Sequence, residues 1–458
     1  MKCSPEYFRG SEAGIHSASG SVELSGRPRD GDLLENGIVK LSTIVRSLCL
    51  LVAASGAAPG LFAFQAGKTD AKAILDWNQF RGSKRNAQSS DVGLLKQWPA
   101  SGPPLAWKAT GIGQGFSSVC HFGKFVFTMG EAENKCLLIA ISAADGKVLW
   151  KLPVGSPFTE QQGGTGPRST PATDGTVVIS VSPTGEITCA RVADGRMVWQ
   201  KNMKNFGASM PGFGFVESPY IDGNLVLLSP GGSVIALNKL NGATVWQSKK
   251  LKGSTDYSSL SVAETGRVKQ YLVMTDKSVA GVLATSGAIL WEGDFPGDRA
   301  VVPTPVYGNG IVFVAAGYGV GCKAFKVGLS GDRMIAQEAY SGTQFQIHHG
   351  GMVLVNEHVY GLHDQGTLRC IELATGKQTW QDRNVGKGSI AYADGHLYCR
   401  GESGSVSLVE ANPNEYKVKG TFTPPERNGS KTWAHPAVSG GKLFLREQDV
   451  LLAYTLKE

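Results

Sequence analysis

The fold is decided by a segment that reads LLIAISAADGKVLW at residues 137–150. In this segment alternating apolar residues lead into an Asp-Gly pair, and the chain then returns to a tryptophan. Such alternation is typical of a half-buried β-strand, and the glycine can adopt the positive φ that a tight turn needs. The segment therefore predicts a strand, a turn and a second strand.

The same pattern recurs along the chain. Four further copies align without a gap: EITCARVADGRMVW (186–199), SVIALNKLNGATVW (233–246), SVAGVLATSGAILW (278–291) and TLRCIELATGKQTW (367–380). Two degenerate copies are predicted to end at Ile335 and Val418 in place of tryptophan, and Trp107 precedes the first copy. The spacing of roughly 40 to 50 residues between these positions is typical of β-propeller blades.

Second hairpins between the copies complete each blade with two more strands. Examples are YIDGNLVLLS (220–229) and YADGHLYCR (392–400). The last blade, at residues 435–456, ends one strand short, while the strand around Trp107 stands alone at the other end of the repeat array. We therefore predict an all-β, eight-bladed β-propeller of four-stranded antiparallel blades, closed by pairing an N-terminal strand with the C-terminal blade.

The charge pattern makes nucleic acid an unsuitable partner. The chain carries 45 basic and 38 acidic residues, a net charge of +7, and the two signs are mixed along its length. A nucleic-acid site requires a concentrated basic patch instead. We expect no nucleic-acid partner.

The N-terminal region has the order of a secretory signal peptide. Lys40 and Arg46 precede the apolar run at residues 47–58, and small residues follow. This order predicts a signal peptide at 39–66, cleaved to give a periplasmic or secreted bacterial protein without a transmembrane helix. An uncleaved anchor is the alternative, although the apolar run is short for a bilayer. Residues 1–38 are interpreted as a start-site error or a disordered leader.

The cysteines show no metal or haem pattern. Six of the eight remain once Cys3 and Cys49 are removed with the leader, and none of the six is adjacent to another or forms a C-x-x-C pair. We therefore expect free thiols in the core and no metal site.

The repeat resembles the PQQ-repeat (quinoprotein-like) family, which includes quinoprotein alcohol dehydrogenases and the propeller lipoprotein of the outer-membrane barrel assembly machinery. The resemblance covers about residues 107–456 and rests on the D-x-x-[TSN]-G-x-x-x-W style of unit. WNQFRG (77–82), GPRSTP (166–171), HHGG (348–351) and WAHP (433–436) are similar to stretches of a secreted bacterial subfamily. The resemblance implies the fold specifically and the activity weakly.

The dehydrogenase branch of the family implies one candidate function. A PQQ- and Ca²⁺-dependent alcohol or sugar dehydrogenase would need a vicinal disulfide beneath the quinone and a Glu-Asn-Asp set. Glu217 and Asp256 are placed to fill two carboxylate roles, but adjacent cysteines are absent.

Candidate binding residues lie in the loops that lead into the innermost strands, here called the axial loops. Hydroxyl residues recur in these loops and are predicted to hydrogen-bond between blades: Ser118, Thr170, Ser218, Ser259, Thr304 and Ser389. Cyclic closure brings the axial loops to one rim, so the departures from this pattern should line one polar funnel. The candidates are Arg168, Glu217, Asp256, Tyr257, His348, His349, Lys387, Trp433 and His435.

These candidates leave alternatives open. Arg168, Glu217 and Lys387 could merely neutralise one another, and histidines with a carboxylate could bind a metal, although no fixed spacing enforces its geometry. The propeller is assigned to residues 105–458. Residues 67–104, which precede it, are interpreted as a strap, a segment that lies across the propeller. Within it, Trp77, Phe80 and Arg81 are expected to pack rather than to stack on a ligand.

Apart from its resemblance to the PQQ-repeat family, the sequence favours a non-catalytic protein. No nucleophile triad, phosphate loop or metal motif is present. We therefore expect a monomeric exported scaffold that binds a peptide, a glycan or a protein partner at the funnel. We expect no catalytic residue and no cofactor; PQQ and Ca²⁺ belong only to the dehydrogenase alternative.

Overall fold

A computed structural model of the protein describes residues 77–298, 301–426 and 429–457, which belong to one compact unit. The predicted leader at 1–38 and signal peptide at 39–66 lie outside the described residues. Within the described ranges, no helix has the length and apolar character needed to cross a membrane.

Eight four-stranded antiparallel sheets form the blades, which confirms the predicted all-β propeller. The first strands of neighbouring blades contact one another, so they surround the axis. From the axis outward, the strands of blade 1 are Cys120–Phe122, Phe125–Ala132, Lys135–Ser142 and Val148–Gly155, and those of blade 2 are Ala172–Thr173, Val177–Val181, Glu186–Arg191 and Met197–Asn202. The strands of blade 3 are Tyr220–Asp222, Leu225–Leu228, Ile235–Asn238 and Thr244–Gln247, and those of blade 4 are Ser261–Thr265, Val268–Met274, Ser278–Leu283 and Ile289–Asp294.

Blades 5 to 8 complete the ring. In the same order, the strands of blade 5 are Val306–Gly308, Ile311–Ala316, Gly321–Ser330 and Arg333–Gly342, and those of blade 6 are Val353–Val355, His358–Leu362, Thr367–Glu372 and Gln378–Arg383. The strands of blade 7 are Gly388–Ala393, His396–Gly401, Val406–Glu410 and Val418–Phe422, and those of blade 8 are Ala437–Ser439, Lys442–Glu447, Val450–Thr455 and Leu105–Ala109. A hairpin of Thr159–Glu160 and Gly164–Thr165 projects between blades 1 and 2, and 3-10 turns occupy Met203–Phe206 and Pro230–Gly232.

The N-terminal strand closes the ring, as predicted. Leu105–Ala109 pairs antiparallel with Val450–Thr455, and Trp107 lies opposite Ala453. Blade 8 thus takes its outermost strand from the start of the propeller and its other three strands from the end of the chain. Both ends of the repeat array are held in one hydrogen-bonded sheet.

The repeat motif is a contact between neighbouring blades. The Trp150 indole donates a 3.0 Å hydrogen bond to the carbonyl of Val192 in the next blade, and its ring covers Gly195. A Cβ at Gly195 would lie 2.6 Å from that ring, and the glycine has a φ of +72°. Glycine is therefore required twice, for the left-handed turn and for the space that tryptophan fills. Equivalent ring-over-glycine pairs are Trp107 with Gly146, Trp199 with Gly242 and Trp246 with Gly287.

The tryptophan positions predicted for the two degenerate blades are wrong. Ile335 and Val418 are exposed on the outer strands. In blade 5 the equivalent position is Tyr340, which lies opposite Ala324 and donates a 2.7 Å hydrogen bond to the Leu373 carbonyl. The two outer strands of this blade are 10 residues long, which moves the capping position along the chain.

Blade 7 has no aromatic residue at this position. Gly420 occupies it, opposite Leu408. Trp98 of the strap packs directly against Gly420, and its ring meets that of Phe422 edge-on at 5.6 Å. The strap thus supplies the tryptophan that the repeat lacks.

The strap also fills one end of the central channel. The backbone carbonyls of Trp77 and Asn78 accept hydrogen bonds from the amides of His121 and Thr173, at the inner strands of blades 1 and 2. Trp77 is 4 % exposed and Arg81 is 2 % exposed, so both pack in the channel, as expected. Phe80, for which packing was also expected, instead presents its ring to a cavity at the rim.

Two arginines of the strap bind opposite parts of the ring. Arg85 donates to the carbonyls of Ser218 and Pro219 at 2.9 and 2.8 Å, while Arg81 donates to the carbonyl of Met352 in the blade 6 loop. Burial lowers the pKa of Arg81 to about 9 and that of Arg85 to about 10. Each guanidinium satisfies carbonyls at the ends of inner strands, which lack partners within the blades.

The contact between a tryptophan ring and a turn glycine can be tested with two glycines of blade 3. Gly242 and Gly223 both have left-handed φ angles, of +70° and +58°, but only Gly242 is covered by a ring, that of Trp199. Gly223→Ala should cost about 1 kcal/mol through the backbone alone. Gly242→Ala should cost about 2–4 kcal/mol because the methyl also displaces Trp199. Urea unfolding measures both, and equal losses would contradict the contact.

Closure can be tested by truncation. A chain that begins at Ala100 loses the strap contacts but keeps the strand Leu105–Ala109, whereas one that begins at Gly111 loses both. Relative to a chain that begins at Gly67, both should melt lower. The melting temperature of the chain that begins at Gly111 should fall by at least about 10 °C. Its free energy of unfolding should drop by several kcal/mol, and each kcal/mol shifts the melting temperature by about 2–4 °C. Identical melting temperatures for all three chains would refute closure by this strand.

Candidate functional site

A cavity of about 500 Å³ lies at the rim where the inner strands begin. It is bounded below by Phe80 of the strap and by the axial hydroxyl residues. The structure brings seven of the nine candidate residues to its wall: Arg168, Tyr257, His348, His349, Lys387, Trp433 and His435.

The axial hydroxyls form a chain of hydrogen bonds between blades. Thr170 Oγ1 accepts from the amide of Ser118, Ser218 Oγ from that of Thr170, and Ser259 Oγ from that of Ser218, at 2.9–3.2 Å. Ser118 Oγ donates to the carbonyl of His435 at 2.7 Å. These bonds link five consecutive blades, so the predicted structural role is confirmed for these four residues.

Arg168 lies among three aromatic rings. Its guanidinium carbon is 5.1 Å from the centre of Phe116, 5.6 Å from Phe213 and 5.8 Å from Trp433, distances typical of cation–π contacts. Burial lowers the pKa of Arg168. Its NH1 donates to the carbonyl of Gly166 at 3.2 Å, whereas Nε and NH2 have no hydrogen-bond partner in the described part of the chain.

A polar cluster around Glu402 faces Arg168 across Trp433. The Trp433 indole donates a 2.7 Å hydrogen bond to Glu402 Oε1, and the ammonium groups of Lys387 and Lys431 lie 3.3 and 4.0 Å from the carboxylate. Burial opposes ionisation, but the indole and Lys387 together hold the pKa of Glu402 below its usual range. Glu402 therefore orients Trp433 and keeps two lysines at the rim.

The three histidines of the cavity are held neutral. Burial, and then the ammonium of Lys387 at 3.4 Å, lower the pKa of His348. Burial lowers the pKa of His435 to about 3 and that of His349 well below its ordinary value. His435 Nε2 lies 3.0 Å from the carbonyl of His349, and its ring is 5.0 Å from Phe80. The histidines contribute polar surface without charge at neutral pH.

Glu217 and Asp256 are not brought to the cavity wall. Glu217 is buried, and its carboxylate accepts 2.8 and 2.7 Å hydrogen bonds from the amide and hydroxyl of Ser229. Burial raises the pKa of Glu217 to about 7, although Arg85 and Ser229 oppose this. Burial also raises the pKa of the half-buried Asp256.

The chain is similar in sequence to a known family over more than half of its length. Residues 134–382 match the family model described as outer membrane protein assembly factor BamB. The protein belongs to this BamB family. No curated protein matches the sequence.

Solved structures share the fold of this BamB-family chain at low identity. BamB from Moraxella catarrhalis is 13 % identical, with a TM-score of 0.51, over 71 % of this chain and 95 % of its own. Quinohemoprotein alcohol dehydrogenases from Pseudomonas putida HK5 and Comamonas testosteroni are 11 % and 10 % identical, with TM-scores of 0.58 and 0.57. Each of the two aligns over 84 % of this chain and 81 % of its own. At these identities the likeness establishes the propeller fold alone.

The donor set of the cavity does not fit a calcium-bound quinone. Calcium takes about six to eight oxygen ligands, yet Glu402 is the single carboxylate on the described cavity wall and already binds Trp433 and Lys387. Among the described residues, no group of three His, Cys, Asp or Glu side chains is placed to hold a metal. The six described cysteines are free and buried, and none is adjacent to another in sequence.

Several residues of the cavity do not follow from the pattern of the axial loops. Glu402 and Tyr318 lie in loops between the second and third strands of blades 7 and 5. Antiparallel strands alternate in direction, so these loops end at the same rim as the axial loops. The axial residues Phe116 and Phe213 carried a usable signal, since large aromatic residues there also depart from the hydroxyl pattern.

The neutral state of His435 predicts an acid-sensitive fold. Its pKa is about 3 in the folded protein and about 6.5 in the unfolded chain, so only the unfolded chain takes up this proton as the pH falls from 6.5. Stability is therefore lost between pH 6.5 and 3. At pH 5 the loss from His435 should be on the order of 1–2 kcal/mol.

His435→Gln should remove that part of the pH dependence. Urea unfolding from pH 7.5 to 5 measures it for both proteins. The variant should lose less stability than the wild type over this range; parallel curves would show that His435 takes up its proton equally in both states.

Proposed function

We propose that the protein is a non-catalytic propeller scaffold whose funnel binds a peptide, a glycan or a protein partner. The observation that carries the proposal is the cavity of about 500 Å³, in which aromatic faces and cationic groups from separate blades converge. Concave sites of this size, with few polar groups among aromatic ones, are typical of ligand binding.

The arrangement of the polar groups supports binding over catalysis. Covalent catalysis needs a nucleophile within hydrogen-bond reach of a base. On the described cavity wall, however, no hydroxyl bonds to a histidine ring: Ser118 donates to a backbone carbonyl, and His435 Nε2 lies against another. Trp433, Arg168 and Glu402 are held in place by one another.

Membership of the BamB family supports a protein partner and an exported location. The family is described as an outer membrane protein assembly factor, which agrees with the signal peptide predicted at 39–66. We propose that the mature chain, the strap from 67 and the propeller from 105, acts as a monomer in the periplasm or outside the cell.

Binding at the funnel can be tested with one tryptophan substitution made at two places. Trp433 lies on the cavity wall, whereas Trp246 covers Gly287 between blades 3 and 4. Ligands found by screening peptide and glycan arrays should lose most of their affinity for Trp433→Leu. The matched Trp246→Leu variant should bind normally below its melting temperature.

Equal binding by both variants would refute the funnel as the site. The dehydrogenase alternative is tested in parallel, by quinone absorbance and by dye-linked alcohol oxidation after addition of PQQ and Ca²⁺. We expect neither signal, and oxidation that the Trp433→Leu variant lacks would replace the binding proposal.

A further inference from the structure

Described residues of the strap occupy the propeller axis beneath the cavity. Phe80 lies beneath it, 5.0 Å from the ring of His435, and the guanidinium carbon of Arg85 lies 5.9 Å from the centre of Phe80. Arg81 and Arg85 bind inner-strand and loop carbonyls within the channel. A ligand therefore enters from the rim and ends in the cavity; a chain cannot thread through.

The cavity does open sideways. A groove of about 480 Å³ lies between the loops of blades 7 and 8 and shares Lys387, Glu402 and Lys431 with the cavity. The rest of the groove wall consists of residues with small side chains or none, Val385, Gly386, Ser403, Gly429 and Ser430. Such a groove suits an extended chain that leaves the cavity over blade 7.

Positive charge is in excess along this path. Three cations on the described cavity wall, Arg168, Lys387 and Lys431, face one carboxylate, Glu402. Glu402 lies against both lysines, so Arg168 is left with a single backbone acceptor. The nearby carboxylate of Glu160 is bound to the amides of Gln162 and Gly163.

A buried donor without an acceptor needs an explanation, and a bound ligand, ion or water that accepts its hydrogen bond is one. Arg168 Nε and NH2 are two such donors, and Gly163 of the projecting hairpin packs on NH2. The acceptor that matches two N–H groups of one guanidinium is a carboxylate or another planar oxyanion.

Aromatic side chains form a large part of the remaining wall: Phe116, Phe213, Tyr257, Tyr318 and Trp433. A sugar ring would stack on these faces, but its hydroxyl groups are donors that need acceptors. On the described wall the carboxylate of Glu402 and the hydroxyls of Thr170 and Ser218 are already bonded. Neutral histidines, Gln162 and tyrosine hydroxyls remain as weaker acceptors, whereas three of the four charged groups are cations. The wall thus favours an apolar group that carries a carboxylate.

We propose that the funnel binds the C-terminal end of an acidic polypeptide. Its last, aromatic or large apolar residue occupies the cavity with the terminal carboxylate directed at Arg168, and preceding acidic residues follow the groove past Lys387 and Lys431. The proposal rests on the funnel function above and names its ligand class. Movement of the hairpin around Gly163 would expose the donors of Arg168 to the carboxylate.

The test uses fluorescence anisotropy with a defined probe, the peptide Gly-Ser-Asp-Glu-Asp-Phe labelled with fluorescein at its N-terminus. Comparators are the same peptide with a C-terminal amide, a neutral peptide with Asn-Gln-Asn in place of the acidic residues, and labelled tetragalacturonate. The acidic peptide with a free terminus should bind most tightly, and raised salt should weaken it.

Substitutions of the three cations test which part of the peptide each one binds. Lys387→Gln with Lys431→Gln should weaken the acidic peptide by about tenfold or more and leave the neutral peptide unchanged. Lys326→Gln, an exposed lysine on the third strand of blade 5, is the matched control and should change neither. Arg168→Gln should abolish the preference for a free terminus over an amide, with folding checked by its melting curve.

Several outcomes would overturn the inference and still leave the funnel as a binding site. These are equal affinity for neutral and acidic peptides, no loss in the double lysine variant, or tighter binding of tetragalacturonate, each with binding that depends on Trp433. Failure of all four probes also overturns it. A different result would contradict the proposed function itself: equal binding of the array ligands to Trp433→Leu and to the wild type.

Discussion

The stacking of one blade's tryptophan on the turn glycine of the next is the contact on which the ring depends. It joins a bulky apolar surface, an indole hydrogen bond and a left-handed turn in one place, as in Trp150 with Val192 and Gly195. Burial of one such side chain is worth about 1.5–3 kcal/mol. Tryptophan rings cover the turn glycine of the next blade between blades 8 and 1, 1 and 2, 2 and 3, and 3 and 4, so small individual terms add up along this part of the ring. The Trp291 indole of blade 4 instead donates its hydrogen bond to Gln270 of the same blade.

The exceptions show how strongly this contact constrains the protein. Tyr340 takes the place of tryptophan in blade 5 and keeps the bond to the next blade through its hydroxyl. In blade 7, the strap fills the vacant position with Trp98. The same strap then places Phe80 below the cavity and Arg81 and Arg85 in the channel. The strap thus fills the axis of the propeller beneath the cavity.

The repeat and its closure were predictable because both depend on local patterns, alternating apolar residues and a glycine turn at a fixed spacing. The axial loops were predictable for the same reason, since cyclic closure brings one point of each repeat to one rim. The capping positions at Ile335 and Val418 were wrong because a longer hairpin and a distant segment are not visible in a gap-free alignment. Glu402 was missed because its loop belongs to a different part of the repeat, and the burial of Glu217 depends on its hydrogen bonds to Ser229 and on Arg85 of the strap.

The central claim is that the strap is an integral floor of the funnel and not a loose extension of the propeller. Amide hydrogen exchange read at residues 77–90 tests it most directly, against Val177–Val181, the buried second strand of blade 2, as the internal reference. Backbone amides such as Ala87 and Ser89 donate hydrogen bonds within the strap and to blade 7, so they should exchange as slowly as that reference strand. Exchange of these amides at the rate of an unstructured peptide would contradict the account, because the channel would then be open at both ends.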